Sequence, residues 1–357
     1  MSTKLKKKME NLIAYRIKNA RKLKGLSQQE IADELNISKQ MVSKYEKGIS
    51  MPTSSKLIKL AQLFNLKIDY FFSPFKVDIG EVNFRKKSSF PIKKQNSLKE
   101  RIKINLENYL WIEGALSIDY TFKNIIKNHK IKSINDIENA VLKLRTEWNI
   151  GTDPIHNIIQ LLEDKEIKVI EIYDTDDKFD GLATYVNDKY PVIVVNGNFP
   201  VERKRFTLLH ELGHLLLNLP NCEVNEEENY CNKFASEFLL PKNIVINEFG
   251  GKRKHITRAE LISTQKKYGI SIPAIVYRLV DAQILSKERQ KQFYIKMNFN
   301  PSLKKEINRS RFETPELSNR FERLVYRALA QENISISKAS SLLSKNIETI
   351  KDNYALI

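Results

Sequence analysis

The segment Phe206–Leu217 contains two histidines and a glutamate at a spacing that suits metal chemistry. On an α-helix, positions i and i+4 lie on one face, so His210 and His214 can bind one zinc ion while Glu211 lies beside them. Zinc lowers the pKa of a bound water to about 7, and a neighbouring carboxylate can take the proton of that water as it attacks a carbonyl. This segment therefore predicts hydrolysis of an amide bond.

The alternative is that the two histidines lie at the edge of a core beside an incidental glutamate. The chain has five histidines, and two of them fall at ligand spacing in one apolar segment. Leucine and phenylalanine surround the pattern on most sides, and a buried histidine or carboxylate needs a partner such as a metal. Gly213 costs about 1 kcal/mol relative to alanine inside a helix, so we expect another backbone or a ligand to approach it closely.

A catalytic zinc site needs a third protein ligand and an open coordination position. Residues 226–241 are predicted to form a second helix, because apolar or small residues recur three and four apart and Pro241 ends the run. Helical steps place Glu228 on the face that can turn toward His210 and His214. The third ligand predicted from the sequence is Glu228.

Other groups near this segment are weaker candidates for the third ligand. We expect Glu226 and Glu227 to be solvated residues that complement the dipole of the helix start, and Glu237 to point elsewhere. Cys222 lies eight residues past His214, so thiolate ligation in place of the Glu228 carboxylate is an alternative of lower rank.

These two segments resemble the ImmA/IrrE family of metallopeptidases. That family has an R-F-T-x-x-H-E-x-G-H helix followed by an E-x-x-A-N-x-F-A-x-x-L-L-x-P helix, and similar sequences occur at 205–214 and 228–241. The roles that the resemblance implies are zinc ligation by His210, His214 and Glu228, and general-base catalysis by Glu211. It also implies cleavage of a transcriptional repressor.

The chain departs from the family pattern at some positions. Cys231 stands where the family usually has alanine, and Asn218 stands where many members have a further histidine. Neither departure removes an implied ligand, so both leave the zinc site intact.

The first hundred residues are strongly basic. They carry 22 Lys and Arg against 9 Asp and Glu, and so hold +13 of the net charge of +17. A basic surface without a polyanionic partner would be spread more evenly, so the asymmetry indicates nucleic acid as a partner. We expect Lys4, Lys6, Lys7 and Lys8 to form a disordered arm that adds salt-sensitive phosphate contacts.

Helical periodicity in this basic region is interrupted at short intervals. The predicted helices are Leu12–Lys24, a second from the Ser27–Glu30 capping box to Leu35, a third at 39–47 and a fourth at 56–64. Two short helices joined by a tight turn are typical of a helix-turn-helix. The spacing closely resembles the phage-repressor, XRE (Cro-like) type.

In a domain of this type the third helix would enter the major groove. The residues expected to contact DNA are Gln28, Lys39, Gln40, Ser43 and Lys44, of which Gln28 resembles the family's phosphate-positioning glutamine. Glutamine can read adenine and lysine can read guanine. The alternative is that Lys39 and Lys44 are solvated charges without a partner.

The chain is predicted to be multidomain and mainly α-helical. The expected segments are a five-helix-type XRE helix-turn-helix domain at 1–75, a linker at 76–96, a helical connector at 97–149, an α+β zincin-like metallopeptidase core at 150–249, and a helical C-terminal domain at 250–357. We expect the last segment to serve docking, sensing or dimerisation.

A small sheet is expected in the peptidase core. A helix is predicted at 154–162, followed by short β-branched strands at 168–173, 181–186 and 191–195. Such a sheet suits an extended peptide, which could add as another strand. Two helix pairs are expected further on, at 258–268 with 272–282 and at 320–331 with 335–343; the last resembles a helix-turn-helix in outline.

Cysteine content and hydropathy indicate the compartment. Two cysteines do not make a disulfide framework and fit a reducing cytoplasm. No apolar run approaches the roughly 18 residues of a membrane span, and the lysine-rich start lacks the apolar core of a signal peptide. We expect a soluble, cytoplasmic protein without a membrane partner.

The sequence thus predicts a DNA-binding transcriptional regulator fused to a zinc-dependent endopeptidase. Its expected partners are a double-stranded DNA operator, a protein substrate and a second copy of the chain, since such domains commonly bind paired half-sites. The alternative is a non-proteolytic repressor or antitoxin whose C-terminal module senses a ligand or partner. Glu211 favours the peptidase, because a structural zinc site needs no base and usually has four protein ligands.

Overall fold

The computed structural model describes residues 3–73, 77, 79, 91–173, 179–219 and 222–354. These residues form two compact units. The first contains the described residues up to 79 together with 91–119 and 320–354, and the second contains the described residues of 120–319.

The fold is mainly α-helical with one small sheet, as the sequence predicted. In chain order the described elements are α1 (Thr3–Lys24), α2 (Gln28–Glu34), α3 (Lys39–Glu46), α4 (Ser54–Phe64), a 3-10 helix (Ile68–Phe72), α5 (Ile92–Ala115), α6 (Ile134–Glu147), α7 (Ile158–Asp164), β1 (Lys168–Ile172), β2 (Gly181–Val186), β3 (Tyr190–Asn196), α8 (Val201–Leu216), α9 (Val224–Leu239), α10 (Lys242–Phe249), α11 (Arg258–Tyr268), α12 (Ile272–Asp281), α13 (Lys287–Phe299), α14 (Pro301–Ile307), α15 (Arg320–Ala330), α16 (Ile336–Leu343) and α17 (Ile347–Asp352).

Local capping explains the first helices. The Ser27 hydroxyl accepts from the Glu30 amide at 3.2 Å, and the Glu30 carboxylate accepts from the Ser27 amide at 2.6 Å, which is the predicted capping box. Asn36 ends the turn with a φ of 51°, and Ser38 caps α3. Val42 on α3 is fully buried against the other helices of this domain.

The prediction of a disordered N-terminal arm is wrong. Helix α1 begins at Thr3, so the basic residues at 4 and 6–8 lie on its first turns. Lysine has a high helix propensity and does not prevent α1 from starting early. Within the linker predicted at 76–96, residues 76, 78 and 80–90 lie outside the described residues, and Ile92 already begins α5.

The compact units divide the helical segments differently from the boundaries expected at 97–149 and 250–357. Helix α5 belongs to the first unit and α6 to the second, and the chain returns to the first unit at Arg320. Tyr109 and Ile112 of α5 form an apolar cluster with Val325 and Ala328 of α15, which explains why α15 belongs with α5.

Helices α16 and α17 repeat the turn of the first helix-turn-helix. In each hairpin a capping serine is followed nine positions later by a residue with positive φ and eleven positions later by the cap of the second helix. These residues are Ser27, Asn36 and Ser38 in the first hairpin and Ser335, Ser344 and Asn346 in the second. The helix pair expected at 320–331 and 335–343 is present as α15 and α16, but the repeated caps and turn lie one helix further on, between α16 and α17.

The sheet has three described strands in the order β1-β3-β2. Strand β3 pairs in parallel with β1 and antiparallel with β2, and Val192–Val195 in its centre are fully buried. The predicted strands are confirmed within two residues at each end. The preceding helix starts at Ile158 instead of 154, because Asn157 caps it by accepting from the Gln160 amide at 2.9 Å.

None of the described helices combines the length and the apolar character needed to cross a bilayer.

Candidate functional site

Helix α8 is fixed at its first turns by buried polar residues. Arg205 is fully buried and donates to the Glu316 carboxylate at 2.6 Å and to the carbonyl oxygens of Ile155 at 2.6 Å and Gly269 at 3.1 Å. Five donors in a rigid guanidinium allow one side chain to join several segments in this way. Arg205 thus positions α8 relative to the segments on either side of it in the second unit.

The two histidines predicted as ligands meet at their Nε2 atoms. His210 and His214 place these nitrogens 3.2 Å apart. The Glu228 carboxylate of α9 lies against both, with Oε2 at 3.2 Å from His210 Nε2 and Oε1 at 3.6 Å from His214 Nε2. The structure therefore brings together the three side chains that the sequence selected.

The Nδ1 atoms of both histidines bind residues of α9. His210 Nδ1 lies 2.9 Å from Asn232 Oδ1, and His214 Nδ1 lies 2.8 Å from Glu227 Oε1. Both partners are oxygen acceptors, so each Nδ1 carries the proton that it donates, and in the neutral imidazole each Nε2 then presents a lone pair. Such partners fix the tautomer and the ring orientation of metal-binding histidines.

The expectation that Glu227 is a solvated residue of the helix start is therefore wrong. Its carboxylate accepts from His214 Nδ1, because the first turn of α9 lies beside the last turn of α8. Sequence reasoning assigned no role to Asn232, which binds His210 Nδ1. One signal in the sequence could have found it: Asn232 lies four residues after Glu228, which is one helical turn.

The side chain of Glu211, a residue of α8, lies against the outer strand β2. A Cβ added at Gly181, the first residue of β2, would lie 3.2 Å from Glu211 Cγ and 2.8 Å from Thr207 Cγ2. The absence of a side chain at Gly181 lets the strand approach the helix at the level of Glu211. The predicted base therefore lies against the outer strand β2, one residue after His210 in the chain.

Gly213 is a point of close contact between α8 and α9. A Cβ there would lie 3.2 Å from Cys231 Sγ and 3.3 Å from Cys231 Cα. The close approach predicted for Gly213 is thus the backbone of α9. Cys231 has no exposed surface, so it has little room to move away.

The donor set suits zinc. Two Nε2 lone pairs and a carboxylate at 3.2–3.6 Å repel one another unless a metal ion or a proton lies between them. Two nitrogens that bind one zinc ion at about 2.0–2.1 Å in tetrahedral geometry lie about 3.3 Å apart, close to the separation here. The exposed fraction of the side chain is 13 % for His210, 16 % for His214 and 12 % for Glu228, so solvent can reach the cluster.

A second acidic group has metal-ligand spacing but already holds cations. It consists of Glu138, Glu237 and Asp281. Lys233, which is 1 % exposed, lies 2.8 Å from Glu138 and 2.5 Å from Asp281, and Arg278 lies 2.5 Å from Glu237. Burial and Arg278 lower the pKa of Lys233, but the carboxylates outweigh them and the net pKa is raised. This group is a buried ion-pair network.

Cys222 belongs to neither of the two possible metal-binding groups found among the described residues. Partial burial, followed by the nearby Glu226 carboxylate, raises the pKa of the Cys222 thiol. The structure thus gives no support to thiolate ligation as an alternative to Glu228.

The N-terminal hairpin presents the residues selected for DNA contact. Lys39, Gln40 and Lys44 are exposed on α3 and Ser43 is half-buried beside them. Tyr45 is 4 % exposed and faces inward with Val42, as expected.

Gln28 is tied to the helix-turn-helix itself. Its Nε2 donates to Glu46 Oε2 at 2.8 Å, and Arg21 Nε donates to Glu46 Oε1 at 2.6 Å. Arg21 also donates to the Leu26 carbonyl at 3.0 Å. The start of α2 is therefore fixed to α1 and α3 through one carboxylate.

Two family models match the chain. Residues 17–71 match the model described as helix-turn-helix, and residues 163–280 match the model described as IrrE N-terminal-like domain. The second match contains α8, α9 and the three strands. The chain joins a helix-turn-helix domain to an IrrE N-terminal-like domain.

Curated relatives that match 57–65 residues of the chain include transcriptional regulators. The HTH-type transcriptional regulator ImmR of Bacillus subtilis is 38 % identical over 58 residues, which are 16 % of this chain and 46 % of ImmR. The cryptic phage CTXphi transcriptional repressor RstR of Vibrio cholerae is 39 % identical over 57 residues, 16 % of this chain and 51 % of RstR. An uncharacterized HTH-type regulator of Rickettsia prowazekii is 35 % identical over 65 residues, 18 % of this chain and 50 % of that protein. The chain spans about half the length of these relatives.

Proposed function

We propose that the chain is a DNA-binding transcriptional regulator with a fused zinc-dependent endopeptidase, and that the peptidase cleaves a protein, in the simplest case a repressor. The two proposed activities fall in separate segments of the chain, and each segment is matched by its own family model. The relatives of the helix-turn-helix domain include proteins named as a transcriptional regulator and a transcriptional repressor, which supports a regulatory role.

The DNA-binding part of the proposal is supported by exposed basic residues on α3. Lys39 and Lys44 are exposed on a helix whose other side is anchored by Val42. In helix-turn-helix domains the second helix enters the major groove and the first crosses the backbone. α3 would then carry base contacts, and Gln28 would lie near the phosphates.

The observation that carries the peptidase part is the convergence of three electron-pair donors that need a cation. A zinc ion held by His210, His214 and Glu228 would polarise the scissile carbonyl and acidify a water molecule. Glu211 would accept a proton from the attacking water and return it to the leaving amine. Glu227 and Asn232 would hold the two imidazoles in the required tautomer.

A protein substrate is supported by the position of Glu211 at the sheet edge. Strand β2 is an outer strand of the described sheet, and Gly181 brings it against α8 at Glu211. An extended peptide can pair with such an edge through main-chain hydrogen bonds. A peptide bound there would lie beside the proposed base and the three proposed ligands.

The test compares the wild-type chain with Glu211→Gln. Elemental analysis of the purified proteins should find one zinc per chain in both, because Glu211 is not a proposed ligand. Labelling of new protein N-termini in cells should find a cleaved protein with the wild type, and cleavage by Glu211→Gln should be about 10²–10⁴-fold slower. Equal cleavage by both proteins, or no bound metal, would end the peptidase proposal and leave the non-proteolytic regulator.

A further inference from the structure

The first turn of α5 lies on the turn between α1 and α2. A Cβ added at Gly25, which has a φ of +63°, would lie 3.0 Å from Cε of Lys93. One turn further on, the Ser97 hydroxyl donates to the Leu23 carbonyl at the end of α1. The start of α5 is therefore attached to the helix-turn-helix, although the family match ends at residue 71.

This contact creates a basic cavity. It has a volume of about 370 Å³, and the cations Arg21, Lys22 and Lys93 line it together with Ser27 and Asn96. Lys93 is exposed, as is Ile92 beside it. The cavity is thus open to solvent and is bordered by three positive side chains, of which Arg21 is held by Glu46 and the Leu26 carbonyl.

The positive charges around this cavity exceed the negative charges. Burial lowers the pKa of Lys22, and Lys18, Lys103 and Arg21 lower it further, while Glu100 raises it. Of the nearby carboxylates, Glu46 accepts from Arg21 and Glu30 accepts from the Ser27 amide. An anion entering the cavity would relieve this repulsion.

Lys93 lies close to the helix that would cross the DNA backbone. Its charge is one of the causes that lower the pKa of Glu30, after the hydrogen bonds from Ser27. Glu30 is in the first turn of α2. When α3 enters the major groove, α2 lies over the sugar-phosphate chain, so the cavity beside its first turn would lie close to the same chain.

We propose that the cavity formed by Arg21, Lys22 and Lys93 binds a backbone phosphate of duplex DNA, so that α5 extends the DNA-contact surface beyond the helix-turn-helix domain. The inference rests on the proposed DNA binding. A phosphate contact of this kind adds affinity without sequence preference, because phosphates carry no base information. It also makes binding more sensitive to salt, since each neutralised phosphate releases counterions.

The test measures the binding of a short mixed-sequence duplex by the full-length chain at several salt concentrations. The slope of log K against log salt is negative, and in Lys93→Ala it should become less steep by about 0.9, the value for one phosphate contact. Lys93→Arg should keep the wild-type slope. Lys351→Ala is the matched control, because Lys351 is an exposed lysine in the same compact unit and its removal changes the net charge equally.

An unchanged slope in Lys93→Ala, or the same decrease in Lys351→Ala, would overturn the proposal. Titration of the free chain with inorganic phosphate separates DNA from a small anion. Saturable phosphate binding that is lost in Lys93→Ala, with an unchanged DNA slope, would assign the cavity to a free anion and also overturn the proposal. If the wild type binds no duplex at all, the proposed function itself fails, which is a distinguishable result.

Discussion

The candidate metal centre and the exposed face of α3 are built in opposite ways. The metal centre takes its side chains from two helices and depends on their close contact at Gly213. The face of α3 takes its side chains from one helix whose bounds are set by local caps such as Ser38. The metal centre should therefore respond to changes in packing and hydrogen bonding at a distance, whereas the α3 face should respond to changes in its own exposed side chains.

A second comparison lies within the first compact unit. The hairpin of α16 and α17 repeats the caps and turn of α2 and α3. At the positions of Lys39 and Lys44 it has Ile347 and Asp352. The same caps and turn thus carry different surface chemistry, so the two hairpins present different side chains to solvent.

The largest expected effect concerns the partners of the histidines. Glu227→Ala and Asn232→Ala should each lower zinc affinity by about 10–100-fold, because each frees an imidazole to rotate or to change tautomer. Asn232→Asp should retain affinity, since a carboxylate accepts the same Nδ1 proton. Competition with a chromogenic chelator measures the affinity.

The matched control for these variants is Glu226→Ala. Glu226 lies on the same helix and accepts from the Tyr230 hydroxyl at 2.8 Å, and it has no described bond to either histidine. A loss of zinc affinity in Glu226→Ala equal to that in Glu227→Ala would show that acidic charge alone, and not orientation of the imidazole, governs binding.

The next effect concerns packing at Gly213. Gly213→Ala should destabilise the second unit by about 1–3 kcal/mol, because the added methyl group meets Cys231 at 3.2–3.3 Å. Gly114→Ala in α5 meets nothing within 4 Å and should stabilise by up to about 1 kcal/mol, since alanine is the better helix former. Thermal unfolding followed by circular dichroism compares the two.

Zinc affinity should fall in Gly213→Ala, because the added methyl group displaces α9 and moves Glu228 away from the histidines. It should stay constant in Gly114→Ala, where the added methyl group meets nothing. If Gly213→Ala is as stable as the wild type and binds zinc equally well, the contact between α8 and α9 does not control the site.

The smallest effect concerns single lysines of α3. Lys39→Ala and Lys44→Ala should each weaken DNA binding by about 1 kcal/mol, because each removes one charged contact from the groove. Zinc content should be unchanged, since the metal centre lies in the other compact unit. Mobility-shift titration at fixed salt measures the affinity. An equal loss in Lys351→Ala would attribute the effect to net charge.

Much of the fold could be predicted from the sequence, because its signals are local. Caps and turn residues specify α2 and α3 within a few positions, and β-branched runs specify the three strands. Helix α7 began later than expected, and the basic arm proved helical, because cap hydrogen bonds and helix propensity prevailed over composition.

The membership of helices in compact units could not be predicted in this way. Helix α5 and helix α6 are consecutive in the chain, but α5 packs with α15 through Tyr109 and Ile112, and α6 packs in the core of the second unit through Val141. Contacts between residues about two hundred positions apart leave no periodic signal in either segment.

The sequence by itself determined that His210, Glu211 and His214 share one helix at ligand spacing, since an i, i+4 pair needs nothing beyond the helix to face one way. Tertiary structure alone decided that Glu227, a residue of the neighbouring helix start, binds His214. The physical reason is that Gly213 has no side chain, so α9 can approach α8 closely enough for this hydrogen bond to form. The distance between the two helices cannot be inferred from the spacing of residues within α9.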